Sequence, residues 1–83
     1  MSFELRGIDK LNDQERMDEL INYIKIQLGD EDDSLALMSN ISSFIMATIA
    51  NLNWAGFYFL KENELVLGPF QGLPACTRLS LDK

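Results

Sequence analysis

The stretch Asn53–Arg78, NWAGFYFLKENELVLGPFQGLPACTR, decides the fold of this 83-residue chain. Its first part alternates as a β-strand does, because successive strand side chains point to opposite faces. One face carries Trp54, Gly56, Tyr58 and Leu60, and the other carries Ala55, Phe57 and Phe59. Both faces are apolar, which predicts that both sides of the strand are covered. The pattern leaves open whether one face is a core and the other a pocket.

A hairpin is predicted next. Residues 61–64 have the composition of a tight turn in which Asn63 takes the positive φ. With a two-residue loop, apolar residues face one another across the pair: Leu60 with Leu65, Phe59 with Val66 and Tyr58 with Leu67. Strand two is predicted over 64–68.

The residues after that strand are expected to leave the sheet and then return to it. Pro69 has no N–H to donate, so Gly68-Pro69 should end the ladder and residues 71–74 should form a loop. A third strand is predicted over 75–81, with Cys76, Arg78 and Ser80 on one face. The strands together occupy residues 53–83 of a single domain.

The first half of the chain has the pattern of two helices, after a loose arm over 1–11. Asn12 is expected to cap the first helix, with Glu15 completing a capping box and Gly29 ending it, so the helix covers 13–28. Its apolar stripe is Met17, Leu20, Ile21, Ile24 and Leu28. The second helix is predicted over 33–50, and its apolar face comprises Leu35, Met38, Ile41, Ile45 and Leu52. The two helices and their connections occupy residues 12–52.

Charge is concentrated in the first part of the chain. Residues 1–33 carry four basic and ten acidic side chains, a net charge of −6, whereas residues 34–83 carry three of each. An acidic face and a neutral body argue against nucleic acid and anionic membrane surfaces as partners. The run Asp30–Asp33 suits the positive end of a helix dipole and solubility. A calcium loop would need a glycine that this run lacks.

The location is expected to be cytoplasmic. No basic segment precedes an apolar run, so we predict no signal peptide. Residues 34–60 carry no charge, but their serines and asparagines make them too polar for a membrane span. A single cysteine excludes an internal disulfide and a cysteine-based metal cluster.

Few residues are left that could carry chemistry. The absence of histidine removes the commonest general base and metal ligand, and we predict no metal and no cofactor. A lone Cys76 in an apolar strand is most often a small buried hydrophobe. Trp54 and Tyr58 are more often core than pocket. Two strand repeats would place their rings about 13 Å apart, from where they could border a small cavity at two ends.

The order of residues in this stretch resembles the free methionine-(R)-sulfoxide reductases, enzymes built on a single GAF domain. The resemblance rests on Asn53-Trp54-x-Gly56-Phe57-Tyr58 and on the string Gly68-Pro69-Phe70-Gln71-Gly72-x-Pro74-Ala75-Cys76-x-Arg78. It covers about residues 33–78, and the string is specific to this family among GAF proteins.

The resemblance implies a fold and a set of roles. The class is α+β: two N-terminal helices pack on one face of a three-stranded antiparallel meander, which is an incomplete GAF domain. Ala55, Phe57 and Phe59 would face the helices, while Trp54 and Tyr58 would enclose free methionine sulfoxide. Cys76 corresponds to a resolving thiol, which forms a disulfide that thioredoxin then reduces.

The family's nucleophilic cysteine lies in a Gly-rich region beyond the residues present in this chain. We therefore expect a truncated protein that is inactive by itself. The alternative is a non-enzymatic GAF-derived module for binding or dimerisation, because half a sheet exposes strand edges that recruit another chain. Either reading predicts a homodimer, and neither predicts nucleic acid or membrane as a partner.

Overall fold

The structure, a computed structural model, describes residues 7–82. A 3-10 turn over Ile8–Lys10 is followed by helices α1 (Asp13–Asp30) and α2 (Ser34–Thr48) and by strands β1 (Trp54–Lys61), β2 (Glu64–Gly72) and β3 (Arg78–Ser80). The strands form one antiparallel sheet in the order β1-β2-β3. The predicted class, two helices and a three-stranded meander, is confirmed. Of the predicted loose arm, residues 1–6 lie outside the described residues.

Helix α1 begins at the predicted cap. The Asn12 side chain accepts a hydrogen bond from the Glu15 N–H (2.8 Å), and the Asn12 N–H donates to the Glu15 carboxylate (2.9 Å). The prediction that Gly29 ends the helix is wrong, because α1 continues to Asp30. The N–H of Glu31 still donates to the Gln27 carbonyl at 3.0 Å, so the helical ladder runs past the glycine.

The buried face of α1 differs from the predicted stripe. Leu20 is buried as predicted, but Met17, Ile21 and Leu28 are exposed. The reason is Tyr23, whose ring stacks on that of Phe44 in α2 with the centroids 4.0 Å apart and the planes 7° from parallel. This pair turns the Leu20–Tyr23 side of α1 towards α2. The core between the helices is completed by Ile24, Ile45 and Ile49.

Helix α2 lies between α1 and the sheet. Asp33 caps it, since the carboxylate accepts from the Ala36 N–H at 3.0 Å. The helix ends at Thr48, two residues before the predicted end, and Asn51 takes a positive φ of 65° in the turn that leads into β1. Of the predicted apolar face, Ile41 is buried and Ile45 packs against the core, but Leu35 and Leu52 are exposed.

A small side chain lets α2 approach the sheet closely. Ser42 is fully buried; its hydroxyl donates to the Met38 carbonyl at 2.8 Å and lies 3.4 Å from the Pro69 carbonyl oxygen. The shorter bond is the local one, to the carbonyl four residues back, and the longer contact joins α2 to β2. The contact fixes α2 over the middle of β2.

The hairpin register is the predicted one. Leu60 pairs with Leu65, Phe59 with Val66 and Tyr58 with Leu67. The positive φ of the turn falls on Glu62 (55°), which corrects the assignment to Asn63. A two-residue loop tolerates this because it needs a positive φ at its first central position in either of its favoured forms.

Strand β2 is longer than predicted. It continues through Gly68-Pro69 to Gly72, and Gly56 pairs with Phe70 while Tyr58 pairs with Leu67. Three residues of β1 therefore oppose four of β2, which is a β-bulge at Gly68-Pro69. A bulge leaves one residue outside the ladder, so a proline that cannot donate is accommodated without ending the strand.

Strand β3 is shorter than predicted, with three residues in place of seven. Arg78 pairs with Val66 and Ser80 with Glu64, so these two side chains share a face as predicted. The Arg78 guanidinium donates to the Glu64 carboxylate at 3.0 Å. Cys76 lies before the strand, in the segment that joins β2 to β3.

Candidate functional site

The bulge in β2 places two apolar side chains on the same sheet face as Trp54 and Tyr58. Residues paired across an antiparallel sheet point to the same side. Leu67 pairs with Tyr58 and Phe70 pairs with Gly56, so both lie on this face although they are three positions apart. In a regular strand, residues three apart would lie on opposite faces. The extra residue at the bulge therefore brings Phe70 to the site.

The three aromatic rings of this face form one stack. The Trp54 and Phe70 centroids are 5.5 Å apart with planes at 15°, and those of Trp54 and Tyr58 are 6.1 Å apart with planes at 28°. The predicted separation of about 13 Å between Trp54 and Tyr58 is therefore wrong. We call Trp54, Tyr58 and Phe70 the aromatic cluster. Its rings meet because Gly56, between Trp54 and Tyr58, leaves space that a side chain would occupy.

Two glycines shape the cluster. A Cβ on Gly56 would lie 2.4 Å from the Phe70 Cβ and 2.8 Å from the Trp54 indole. Gly72 has φ of 126°, a conformation that L side chains rarely adopt, and a Cβ there would lie 2.6 Å from the Asn53 carbonyl oxygen. A side chain at either position would collide with neighbouring backbone and with the indole, so both positions require glycine.

The indole Nε1–H of Trp54 is a buried donor that has no hydrogen-bond partner among the described residues. Buried donors are almost always paired, and leaving one unpaired costs about 1–3 kcal/mol. The aromatic cluster therefore contains a buried polar group whose acceptor is not among the described residues. A ligand oxygen is the kind of acceptor that would satisfy it.

The thiol-bearing segment is bound to the cluster by Tyr58. Its hydroxyl donates to the Cys76 carbonyl oxygen at 2.8 Å. Cys76 itself is a free, exposed cysteine, so the interpretation of this residue as a small buried hydrophobe is wrong. It is exposed because it precedes β3 in a segment outside the sheet. The three residues singled out from the sequence thus lie together on one side of the molecule.

The opposite face of the sheet is covered by α2 at one end only. Ala55 is 8% exposed, beneath the helix that packs on β1 and β2, and Phe57 is half-buried. Further along the strand Phe59, on this face, is 39% exposed, and Leu60, on the face of Trp54 and Tyr58, is 66% exposed. The prediction that the strand is covered on both sides is therefore wrong at the hairpin end.

The cavities at the ends of the helices are separate from this site. One of about 350 Å³ is lined by residues of the α1 start and the α2 end: Asp13, Arg16, Met17, Thr48, Ile49, Ala50 and Asn51. A second, of about 170 Å³, adjoins it. Neither is lined by Trp54, Tyr58 or Cys76, so the aromatic cluster is the better candidate because it combines rings, an unpaired donor and a thiol segment.

The described part of the chain offers neither a metal cluster nor a membrane-spanning helix. Within it, no group of three or more Cys, Asp or Glu side chains could hold a metal ion. None of the helices described combines the length and apolar character needed to cross a membrane.

Sequence reasoning missed Phe70 and the structural role of Gly56. Phe70 belongs to the quoted string, but the prediction that strand two ends at Gly68 leaves Phe70 outside the sheet. A Gly-Pro pair inside an apolar run is also a signal for a bulge. A bulge would have carried the strand on to Phe70 and placed its ring beside Trp54.

The protein has relatives of known structure. The chain is 40% identical to a GAF sensor protein from Burkholderia vietnamiensis, with a TM-score of 0.81 over 88% of this chain and 46% of that one. It is 38% identical to fRMsr of Staphylococcus aureus, solved in complex with substrate, with a TM-score of 0.71 over 78% of this chain and 42% of that one.

Curated sequences give a consistent result. Protein YtsP of Bacillus subtilis is 47% identical over 62 residues, which are 72% of this chain and 38% of that protein. Free methionine-R-sulfoxide reductase of Escherichia coli is 41% identical over 56 residues, 68% of this chain and 34% of the enzyme. The chain thus spans less than half the length of these relatives. No protein-family profile matches it.

The helices and the meander define the class of fold: the chain superposes on about half of two solved GAF proteins, in both cases with a TM-score of 0.81. Within that class the chain is related to the free methionine-R-sulfoxide reductases, at 34–41% identity to the curated enzymes of that name. Both the fold and the resemblance predicted from the sequence are confirmed.

Proposed function

We propose that this chain carries part of the site of a free methionine-R-sulfoxide reductase. The observation that carries the proposal is the arrangement around Tyr58, whose ring stacks on Trp54 and whose hydroxyl holds the Cys76 carbonyl. A substrate-binding surface and a redox-active thiol must be close together in such an enzyme. The relatives named for this activity support the same assignment.

Trp54 and Tyr58 would contact free methionine-(R)-sulfoxide. An aromatic surface suits the thioether part of the substrate, since sulfur makes favourable contacts with rings. The unpaired Trp54 Nε1–H suits an oxygen acceptor, either the sulfoxide or the carboxylate. Phe70 extends the surface beyond the two residues that the resemblance assigns to substrate.

Cys76 would act as the resolving thiol. In the first step, a nucleophilic cysteine attacks the sulfoxide sulfur, takes the oxygen as a sulfenic acid and releases methionine. In the second, the Cys76 sulfur bonds to the sulfenic sulfur and water leaves with the oxygen. The resulting disulfide takes two electrons and two protons from thioredoxin. The thiol must be kept reduced beforehand, which the cytoplasm does.

The nucleophile must come from outside this sequence, which contains one cysteine. We therefore expect the 83-residue polypeptide to show no turnover alone. The test is a thioredoxin-coupled assay with free methionine-(R)-sulfoxide. Turnover that Cys76→Ser abolishes would contradict the expected inactivity, whereas turnover that Cys76→Ser leaves unchanged would indicate a contaminating enzyme.

Substrate binding is tested separately from turnover. Trp54 is the only tryptophan in the chain, so its emission reports directly on the aromatic cluster. We expect free methionine-(R)-sulfoxide to change this emission more than methionine does, because only the sulfoxide offers an additional acceptor. A spectrum that is the same with and without the sulfoxide would contradict the proposed site.

A second candidate function is a binding or dimerising module. It is favoured by the exposed apolar side chains of α1, namely Met17, Ile21 and Leu28, and by β1, which lies at an edge of the described sheet. Such surfaces favour a homodimer through helix packing or strand pairing. Light scattering at micromolar concentration should then give twice the 9.4 kDa chain mass. A monodisperse monomer would contradict it.

A further inference from the structure

Two neighbouring carbonyl groups tie the thiol segment to one residue pair of the sheet. The Thr77 carbonyl accepts from the Leu67 N–H at 2.9 Å, and the Cys76 carbonyl accepts from the Tyr58 hydroxyl at 2.8 Å. Tyr58 and Leu67 are paired across β1 and β2. The main chain at Cys76 is thus held from the same place on the sheet by one backbone bond and one side-chain bond.

The side-chain bond links the thiol segment to the aromatic cluster. The Leu67 bond is a backbone bond next to the first β2–β3 pair, Val66 with Arg78. The Tyr58 bond comes from a ring that stacks on Trp54, so it joins the Cys76 carbonyl to the aromatic cluster. The sulfur takes no part in this bond, because the acceptor is the backbone oxygen, and the thiol stays exposed.

We propose that Tyr58 is a positioning residue for Cys76: its hydroxyl fixes the main chain of the thiol segment beside the Trp54 ring. The geometry alone carries this positional role. Its importance for a reaction rests on the proposed function, in which the resolving thiol must lie near the bound substrate. Tyr58 then has two roles, one through its ring and one through its hydroxyl.

The chain offers two natural reporters for a test, because it contains one cysteine and one tryptophan. A nitroxide label attached to the Cys76 sulfur leaves the carbonyl free to accept from Tyr58. Its spectrum reports how freely the segment moves, and its quenching of Trp54 emission reports how close the label stays to the cluster. Tyr58→Phe removes only the hydroxyl, and Tyr23→Phe makes the same change in the helical core as a control.

We expect Tyr58→Phe to increase label mobility and to reduce the quenching of Trp54, while Tyr23→Phe changes neither. One hydrogen bond contributes about 0.5–1.5 kcal/mol, so the detached population should rise about two- to tenfold. Circular dichroism must show that each variant keeps its helices and strands. A folded Tyr58→Phe variant with the wild-type mobility and quenching would overturn the proposal.

A nuclear magnetic resonance measurement on the unsubstituted chain tests the proposal even if the Tyr58→Phe variant does not fold. Nuclear Overhauser contacts between the Tyr58 ring and the Cys76 main chain are expected in its spectrum. A well-dispersed spectrum without them would also overturn the proposal.

Adding free methionine-(R)-sulfoxide distinguishes this role from the proposed function. If the segment loosens in Tyr58→Phe but the sulfoxide changes no signal in the wild-type chain, the positioning role is supported and substrate binding is contradicted. If the sulfoxide changes Trp54 emission equally in both chains and label mobility is also equal, substrate binding is supported and the positioning role is overturned.

Discussion

Gly56 and Phe70 are paired across β1 and β2 at a distance that allows no side chain on Gly56. A Cβ there would lie 2.4 Å from the Phe70 Cβ and 2.8 Å from the Phe70 Cα. The empty position receives the Trp54 indole, which stacks on Phe70 at 5.5 Å. The aromatic cluster thus depends on a residue that contributes no side chain to it.

Gly56→Ala should destabilise the sheet. The added methyl group meets backbone and Cβ atoms that cannot move aside, and overpacking of this kind costs about 1–3 kcal/mol. Gly29→Ala is the matched control, because a Cβ at Gly29 meets nothing within 4 Å and the residue lies inside α1. That change should stabilise the chain by about 0.5–1 kcal/mol. Urea unfolding measures both, and equal effects would contradict the packing described around Gly56.

Alkaline pH should destabilise the fold through Tyr23. Burial raises the pKa of its hydroxyl above the ordinary value of 10.0, so the folded state retains a proton that the unfolded state loses. The stabilisation is fully present below pH 10 and is lost as pH rises from 10 through the folded-state pKa, by up to about 1.4 kcal/mol per pH unit. Urea unfolding between about pH 8 and 11 measures this loss. Tyr23→Phe should flatten this part of the profile; an unchanged slope would contradict the assignment to Tyr23.

Asn12→Ala should weaken the start of α1. It removes the acceptor for the Glu15 N–H and breaks the reciprocal capping box, at a cost of about 1 kcal/mol. Asn22→Ala is the control, since Asn22 is exposed in the middle of the same helix and alanine is the better helix former there. Thermal unfolding followed at a helical wavelength compares the two. A loss in Asn22→Ala as large as in Asn12→Ala would contradict a specific cap.

Trp54→Phe should weaken binding of free methionine-(R)-sulfoxide, if the proposed site is correct. The change keeps an aromatic ring in the stack but removes the unpaired Nε1–H. Loss of one buried hydrogen bond to the ligand corresponds to about a tenfold weaker affinity. Isothermal titration calorimetry measures it without the fluorophore. Phe59→Leu, on the other sheet face, is the control and should leave the affinity unchanged; equal affinities in all three chains would contradict a role for the indole donor.

Local signals predicted much of this molecule. The Asn12 cap depends on a side chain bonding to a backbone group three residues away, so neighbouring residues suffice to specify it. The hairpin register follows from a two-residue loop between Lys61 and Glu64, because the loop length fixes the pairing. The string that ends in Cys76 was sufficient to identify the relatives.

The misplaced elements have one cause in common, which is competition between distant residues. The stripe predicted on α1 counted Met17 and Ile21 as core, yet stacking of Tyr23 on Phe44 turned a different side inward. Pro69 was expected to end β2 because it has no N–H to donate. Whether a proline ends a strand depends on whether the pairing leaves a position that needs no donor, and here the bulge does so. The buried side of α1 and the continuation of β2 through Pro69 each depend on a second element of the fold, so neither can be predicted from one segment alone.

The sequence by itself determined the two helices, the hairpin and the relationship to the free methionine-R-sulfoxide reductases, because caps, loop lengths and residue order are local properties. Only the tertiary structure decided how Trp54, Tyr58 and Cys76 are related. The bulge brings Phe70 across from Gly56, the empty glycine position lets the rings stack, and the Tyr58 hydroxyl reaches the Cys76 carbonyl. These contacts join residues up to 18 positions apart, so the packing of the strands had to place them.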